Sequence, residues 1–386
     1  MPSYQHLAYR RNAKAAARKQ QIKKPKNLEL IEKAKEDFGF FCEYVADKPP
    51  ATHHKIWHEH FITNEDSSCL IKIAGPNVDL LAPRGSAKST VLGLLTAWAI
   101  GVHTEAKLPL QVLYLSYTVD IARSKSATIK RIIESKRYQE VFPRVRLLKN
   151  VTSNEYWSID HKFAGIDTTG EEQFTLCAAG LKGSVTSKRS HLVMIDDAIK
   201  SAADIANPDI RKQMQENWNA VIGPTMFEGA RAICLGTRFR HDDIHSTTFN
   251  EQNNWTQIIL SAILSDEKTG EEESYWPEMW SLEYLKEKKR QAPIAFSFQY
   301  MNQIVRQNEL SLAPELIVKA EIATEFDTLG IGVDLSAGTR EKNDYTVMVL
   351  GGRIEDRIHI IDYRRIRVMG NLEKLDALKE LLHDWS

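Results

Sequence analysis

The chain has no net charge, since 51 lysines and arginines offset 51 aspartates and glutamates. Bulk electrostatics therefore neither favours nor excludes a polyanionic partner, and any binding face has to be a local patch. Cysteine is scarce: Cys42, Cys69, Cys177 and Cys234 form no CxxC pair, and two of them fall in apolar strand patterns. Small buried hydrophobes are expected there, rather than disulfides or a metal site. No run approaches the roughly 18 apolar residues that a membrane span needs, and no apolar core follows the first residues. A protein of cytoplasmic type is expected, with no membrane partner. The 386 residues, 42% hydrophobic and 26% charged, exceed one ordinary hydrophobic core and suggest two domains.

Residues 1–26 contain basic side chains from Arg10 to Lys26 and no acidic one. With Ala13 and Ala15 to Ala17 they predict a basic, mostly helical arm, which either touches DNA phosphates or a partner or is a solvated tail. Asn27 to Val45 reads as one amphipathic helix, broken at Lys48 to Pro50. His54 and His58 have an HxxxH spacing, but Glu59 is not placed as in HExxH and nothing completes a zinc site. The plainer expectation is a helix that packs Ile56, Trp57 and Phe61 beneath the loop that follows.

From Asp79 onward, short apolar runs alternate with helical patterns. Strands are predicted at Val78 to Ala82, Val112 to Ser116, Phe174 to Ala178, Leu192 to Ile195 and Ala232 to Leu235. Helices are predicted near Ser89 to Val102, Val119 to Ser135 and Asp209 to Ala220. Such a pattern implies an α/β fold with a mainly parallel sheet covered on both faces. A polar run from Ser265 to Ser274 marks the edge of this domain. Helices follow at Ser281 to Arg290 and Pro293 to Met301, then strands at Leu329 to Asp334, Tyr345 to Leu350 and Arg357 to Asp362. The expected organisation is a basic arm and helix (1–50), an α/β domain (51–265), a linker or helical subdomain (266–325) and the start of a further α/β domain (326–386).

The chemistry concentrates at three strand ends. Val78 to Thr90 reads as strand, tight loop and helix start, with Lys88, Ser89 and Thr90 where a phosphate-binding loop needs a lysine and hydroxyls. Lys88 would cradle terminal phosphates as a point charge, with loop and helix N–H groups on the remaining oxygens. Ser89 is the expected hydroxyl ligand to magnesium. Ala82 and Ala87 stand where the GxxxxGK[ST] pattern has glycines, and each is expected at a position needing no positive φ, with Gly85 supplying the turn's freedom. Ser190 to Asp197 is an apolar strand ending in two carboxylates: Asp196 can hold hydrated magnesium, and Asp197 can orient or polarise the attacking water. A third strand runs into Gly236, Thr237 and Arg238. Thr237 can sense a γ-phosphate, while Arg238 and Arg240 can contact phosphate, a neighbouring domain or solvent.

Three segments, Ala82 to Thr90, Leu192 to Asp197 and Leu235 to Ile244, resemble the large subunit of tailed-phage terminase, a DNA-packaging ATPase with an attached nuclease. The resemblance covers roughly residues 50 to 386. It implies a P-loop NTPase fold of the additional-strand type, with ATP and Mg2+ bound at Arg84, Gly85, Ser86, Ala87, Lys88, Ser89, Thr90 and Thr237. Arg84 becomes a phosphate contact, and Gly236 and Thr237 a coupling motif. The implied partners are double-stranded DNA, a portal protein on a procapsid, a terminase small subunit and further copies of the chain in a ring, all in the host cytoplasm. A basic residue acting on a neighbouring subunit is implied among Lys182, Lys188 and Arg189, with Arg123 and Arg131 as rivals. The family's adenine-contacting segment is an aromatic followed by glutamine, where this chain has Trp57 and His58.

Gly332 to Asp334 and the polar hairpin from Gly338 to Asp344 resemble the opening of the terminase nuclease, an RNase-H-like fold that holds two Mg2+ or Mn2+ ions on carboxylates. Asp334 is the expected ligand and Asp344 a neighbour; Asp362 and Asp384 have no spacing argument. The sequence stops inside an expected crossover helix, so that domain is read as incomplete. The alternatives to a packaging motor are a DNA helicase or remodelling ATPase, and a DNA-binding structural subunit that keeps the fold without hydrolysis.

Overall fold

The computed structural model describes residues 28–62, 76–149, 153–168, 174–183, 188–266, 268–304, 323, 325–335, 345–355, 357–366 and 370–385. The basic arm, Cys69 and the hairpin carrying Asp344 lie outside the described residues. The chain divides into two compact units, residues 1–306 and 307–386.

The first unit begins with helices α1 (Leu28–Glu36), α2 (Phe38–Ala46) and α3 (Thr52–Phe61). The single helix expected over Asn27 to Val45 is thus two: Asp37 leaves the helix and uses its carboxylate to accept from Phe40 N at 3.0 Å, capping α2. In α3, Trp57 and Phe61 are buried as expected, but Ile56 is on the outer face and about half exposed.

The remaining elements alternate. They are β1 (Asn77–Leu81), α4 (Lys88–Glu105), β2 (Val112–Ser116), α5 (Val119–Glu134), α6 (Lys136–Val141), β3 (Tyr156–Trp157), α7 (His161–Ala164), β4 (Leu176–Gly180), β5 (Ser190–Asp196), α8 (Pro208–Asn217), β6 (Met226–Gly236), α9 (Ile244–Thr247) and β7 (Trp255–Ile259). The five predicted strands are β1, β2, β4, β5 and β6. β3 and β7 were not legible, being respectively two residues long and only partly buried.

The seven strands form one sheet in the order β3-β4-β2-β5-β6-β1-β7. Every pairing is parallel except β3 with β4. This is a mixed α/β fold with a mainly parallel sheet, in which β6 is inserted between β1 and β5. Because strand side chains alternate between faces, Val78, Leu80, Tyr114, Met194 and Leu235 enter one core with α2 to α5. Leu113, Val193, Ile195 and Cys234 enter the other, with Trp218, Phe249 and Trp255. Helix α4 is buried along most of its length. Its Gly101 lies so close to the Phe142 ring that an added Cβ would sit 2.3 Å from it.

A short hairpin, β8 (Ile263–Ser265) with β9 (Glu272–Ser274), and helices α10 (Leu282–Gln291) and α11 (Pro293–Gln299) complete this unit around Ile263, Tyr275, Leu285 and Phe296. The second unit has the antiparallel strands β10 (Thr328–Asp334), β11 (Thr346–Ile354) and β12 (Arg357–Ile366), with β11 central. Helix α12 (Asn371–His383) packs Leu381 against Met348 and Leu350. No described helix is long and apolar enough to cross a membrane.

Candidate functional site

The order of the strands brings three chain segments together. Leu81 pairs with Gly236, and Leu235 pairs with Asp196, so the ends of β1, β6 and β5 are neighbours at the carboxyl edge of the sheet. In open parallel sheets this edge is where ligands bind. The loop after β1 turns at Gly85, whose φ is +84°. It passes into α4 through Ala87, whose φ is +62°.

Ala87 therefore corrects the sequence reading: a left-handed conformation is required there, and an alanine carries it. Ala82 has no positive φ, as expected. The left-handed region costs a non-glycine residue about 1 kcal/mol or more. Glycine offsets part of the gain with about 0.4–1 kcal/mol of extra unfolded-chain entropy. Ala87→Gly is expected to stabilise the first unit by about 0.5–1 kcal/mol, readable as a rise in the urea midpoint.

Lys88 is buried, and its ammonium donates to Ala82 O at 2.8 Å and Pro83 O at 3.1 Å. Burial lowers its pKa, opposed by the charges of Asp197 and Asp196. Ser89 Oγ donates to Asp196 Oδ1 at 2.7 Å. Asp196 is 1% exposed. Its other oxygen accepts from Tyr114 Oη at 3.3 Å and lies 3.4 Å from Lys125 Nζ, while Ser116 Oγ donates to its main-chain carbonyl at 2.7 Å. A hydroxyl and a carboxylate in contact are oxygen donors of the kind that magnesium accepts.

Asp197 leaves the strand with φ +50°, its N–H donating to Leu235 O. Burial raises its pKa, with Asp196 adding to the rise and Lys88 and Lys125 opposing it. A cavity of about 170 Å³ is lined by Arg84, Lys88, Lys125, Asp197, Lys200 and Thr237, among others. The structure thus brings Arg84, Lys88, Ser89, Asp196, Asp197 and Thr237 to one place.

A second, larger cavity of about 680 Å³ opens on the other side of the loop, between Pro49, Pro50, His54, His58, Trp276 and Trp280, with Gly85, Ala87 and Thr90 at its floor. His54 Nδ1 accepts from Ala51 N at 3.1 Å, so Nε2 carries the proton donated to Ser86 O at 2.9 Å. Burial pushes His53 down to about 3 and His58 to about 4, leaving both neutral. Trp57 is core; His58 lines the cavity with an Nε2 that is buried without a partner.

The end of α11 and the turn before α10 close over the loop: Arg84 N donates to Gln299 O at 2.8 Å, and Trp280 Nε1 donates to Gly85 O at 3.3 Å. Arg238, with alternatives open from sequence, donates to Asn302 O at 2.8 Å, while Arg240 is exposed. Arg123 is taken up by Asp120 and Glu155, and Arg131 by Thr128 on its own helix. Lys182 lies over the Tyr117 ring, Lys188 over Tyr156 and Arg189 over Phe227.

Tyr114, Lys125, Lys200, Gln299 and Trp280 were missed, because each looks like an ordinary core, helix or surface residue in its own segment. Behind the sheet lies another group invisible in the sequence. Asp79, Cys234 and His245 are fully buried, with one possible ligand atom from each lying within 4.8 Å of the other two. His245 Nδ1 meets the two Asp79 oxygens at 2.9 and 3.1 Å, and Gln257 Nε2 donates to the same carboxylate at 3.0 Å. Those donors make it a hydrogen-bonded network rather than a vacant cation site. Gly236 abuts the His245 ring, where a Cβ would lie 2.8 Å from Cε1.

In the second unit Asp334 ends β10, exposed. Asp362 and Asp384 share Arg364, at 2.8 and 2.7 Å. Among the described residues no group of three metal-ligating side chains gathers around Asp334.

No protein-family model matches this chain, and no curated protein matches it. Among solved structures, the large terminase from a thermophilic bacteriophage, in complex with ATP-γ-S, aligns over 83% of this chain and 71% of that one, at 10% identity and a TM-score of 0.39. The same protein in complex with ADP aligns over 80% and 69%, at 8% identity and a TM-score of 0.36. A mutant ATPase domain of the Thermus phage P74-26 large terminase aligns over 69% of this chain and 98% of that one, at 15% identity and a TM-score of 0.40.

Proposed function

We propose that this chain is an ATP-hydrolysing motor subunit that drives double-stranded viral DNA into a procapsid. The observation that carries the ATPase reading is the 2.7 Å contact of Ser89 with Asp196, beside a buried Lys88 whose ammonium is held at the loop. In this reading Lys88, Arg84 and the N–H groups from Gly85 to Thr90 bind the phosphates. Ser89 and Asp196 would hold magnesium, which when bound would neutralise charge on the phosphate oxygens. Asp197 orients the attacking water, its raised pKa suiting it to accept a proton. Thr237 reads the terminal phosphate. The nucleobase occupies the slot walled by Pro50 and Trp280, with His58 Nε2 available to its edge.

The DNA-packaging part is supported by the sequence resemblance, which brings the portal, small subunit and ring with it. The antiparallel order β10-β11-β12 followed by α12 is compatible with the start of an RNase-H-like fold, in which Asp334 would hold a divalent ion. The test is ATP-dependent protection of linear DNA from added nuclease in the presence of portal-bearing procapsids and small subunit. Protection above the no-ATP control is expected. Duplex unwinding without procapsids would move the protein to the helicases, and nucleotide binding without turnover in the full mixture would make it a non-hydrolysing subunit.

A further inference from the structure

Lys125 belongs to the helix that follows β2, and two contacts aim that helix at the nucleotide site. Ser116, at the end of β2, pairs with Asp196 and donates to its carbonyl. Thr118 then caps the first turn of α5, accepting from Ile121 N. The Lys125 ammonium ends 3.4 Å from Asp196 Oδ2. That oxygen is also approached by the neutral Tyr114 hydroxyl, and the carboxylate's other oxygen is taken by Ser89. Lys125 is the cation of α5 that lines the small cavity, together with Arg84, Lys88, Lys200 and Asp197. Its side chain is about one-third exposed (34%), against 1% for the carboxylate it meets, so the contact joins a movable stem to a fixed, buried anion.

Resting on the ATPase reading above, we propose that Lys125 is an exchangeable counter-cation that acts within its own subunit. Without nucleotide, its ammonium neutralises the carboxylate of Asp196. When that carboxylate takes a divalent cation, like-charge repulsion drives the ammonium off it. The flexible four-carbon stem then carries the same charge to the terminal phosphate in the same cavity. The site thereby avoids both a bare buried carboxylate before binding and an excess of negative charge after it.

This assignment predicts opposite changes in two measurements. In nucleotide-free full-length protein, Lys125→Met removes the competing cation, so Mn2+, used alone as the probe in calorimetry, should bind about tenfold more tightly than to the wild type. In the same variant, turnover at saturating Mg-ATP should fall on the order of 10²-fold, with a smaller change in KM. Lys125→Arg should restore part of the turnover and keep the wild-type melting curve, whereas Lys125→Met, which leaves the buried Asp196 without its counter-charge, should melt somewhat lower and regain stability when Mn2+ is added. A merely structural lysine would not tighten Mn2+ binding when removed. Mn2+ affinity that is unchanged or weaker in Lys125→Met, or undiminished turnover, would overturn the role of Lys125 while leaving the ATPase reading intact. Absent turnover in the wild type would instead overturn the ATPase reading, and with it the phosphate half of the exchange.

Discussion

Lys88→Ala should lower kcat/KM for Mg-ATP by on the order of 10³-fold, and Asp196→Ala should do the same. Lys88 is held inside the loop by two main-chain carbonyls and is kept there against the desolvation that lowers its pKa. Such a group is ordered before its ligand arrives, so its charge is available to phosphate without reorganisation. Alanine removes that charge and leaves Ala82 O and Pro83 O without the donor. Asp196→Ala removes the partner of Ser89 and the anion beside Lys125 together. Since the two residues serve one metal–phosphate assembly, the double variant should be little worse than either single one. Phosphate release measured against free magnesium checks this, with melting curves to detect any loss of fold. Wild-type turnover in both single variants would remove the assignment.

A second large effect is expected far from phosphate. Asp79→Ala should cost the first unit about 3–5 kcal/mol, the usual penalty for breaking a fully buried ion pair. Burial alone would pull the His245 imidazolium down, but the charge and hydrogen bond of Asp79, aided by Asp243 and Asp197, outweigh it and raise the pKa above 6.5. A raised folded value means that the protonated pair stabilises fully below the unfolded histidine value near 6.5. The contribution is lost as pH rises through the folded value. Wild-type stability should therefore decline on the alkaline side, and that decline should disappear in Asp79→Ala, where burial leaves His245 neutral at every pH tested. Urea unfolding followed by tryptophan fluorescence is a suitable readout, because Phe249, edge-on to His245, stacks on Trp255 at 4.2 Å. An alkaline slope equal in both proteins would contradict the pair. Since Gly236 abuts the His245 ring, the strand end carrying Thr237 rests on this network.

The sequence by itself determined the α/β class, the five main parallel strands and the three strand ends that carry Lys88, Asp196 and Thr237. These were legible because apolar periodicity, loop composition and a carboxylate or lysine at a strand end are properties of a few consecutive residues. Where local rules compete, the reading failed: Asp37 as a cap split an otherwise periodic helix, and a left-handed φ fell on Ala87 where helical continuity was expected. Tertiary structure alone decided which side chains surround those ends. Lys125 and Tyr114 reach Asp196 because β2 is next to β5, Trp280 and Gln299 reach the loop because the turn before α10 and the end of α11 fold back over it, and His245 meets Asp79 across 166 residues of chain. Such contacts depend on the order of strands in the sheet, which no spacing within one segment encodes. Burial and neighbouring charge then set the protonation of the groups so assembled: burial raises the pKa of Asp197, while the Asp79 carboxylate holds the proton on His245 against burial.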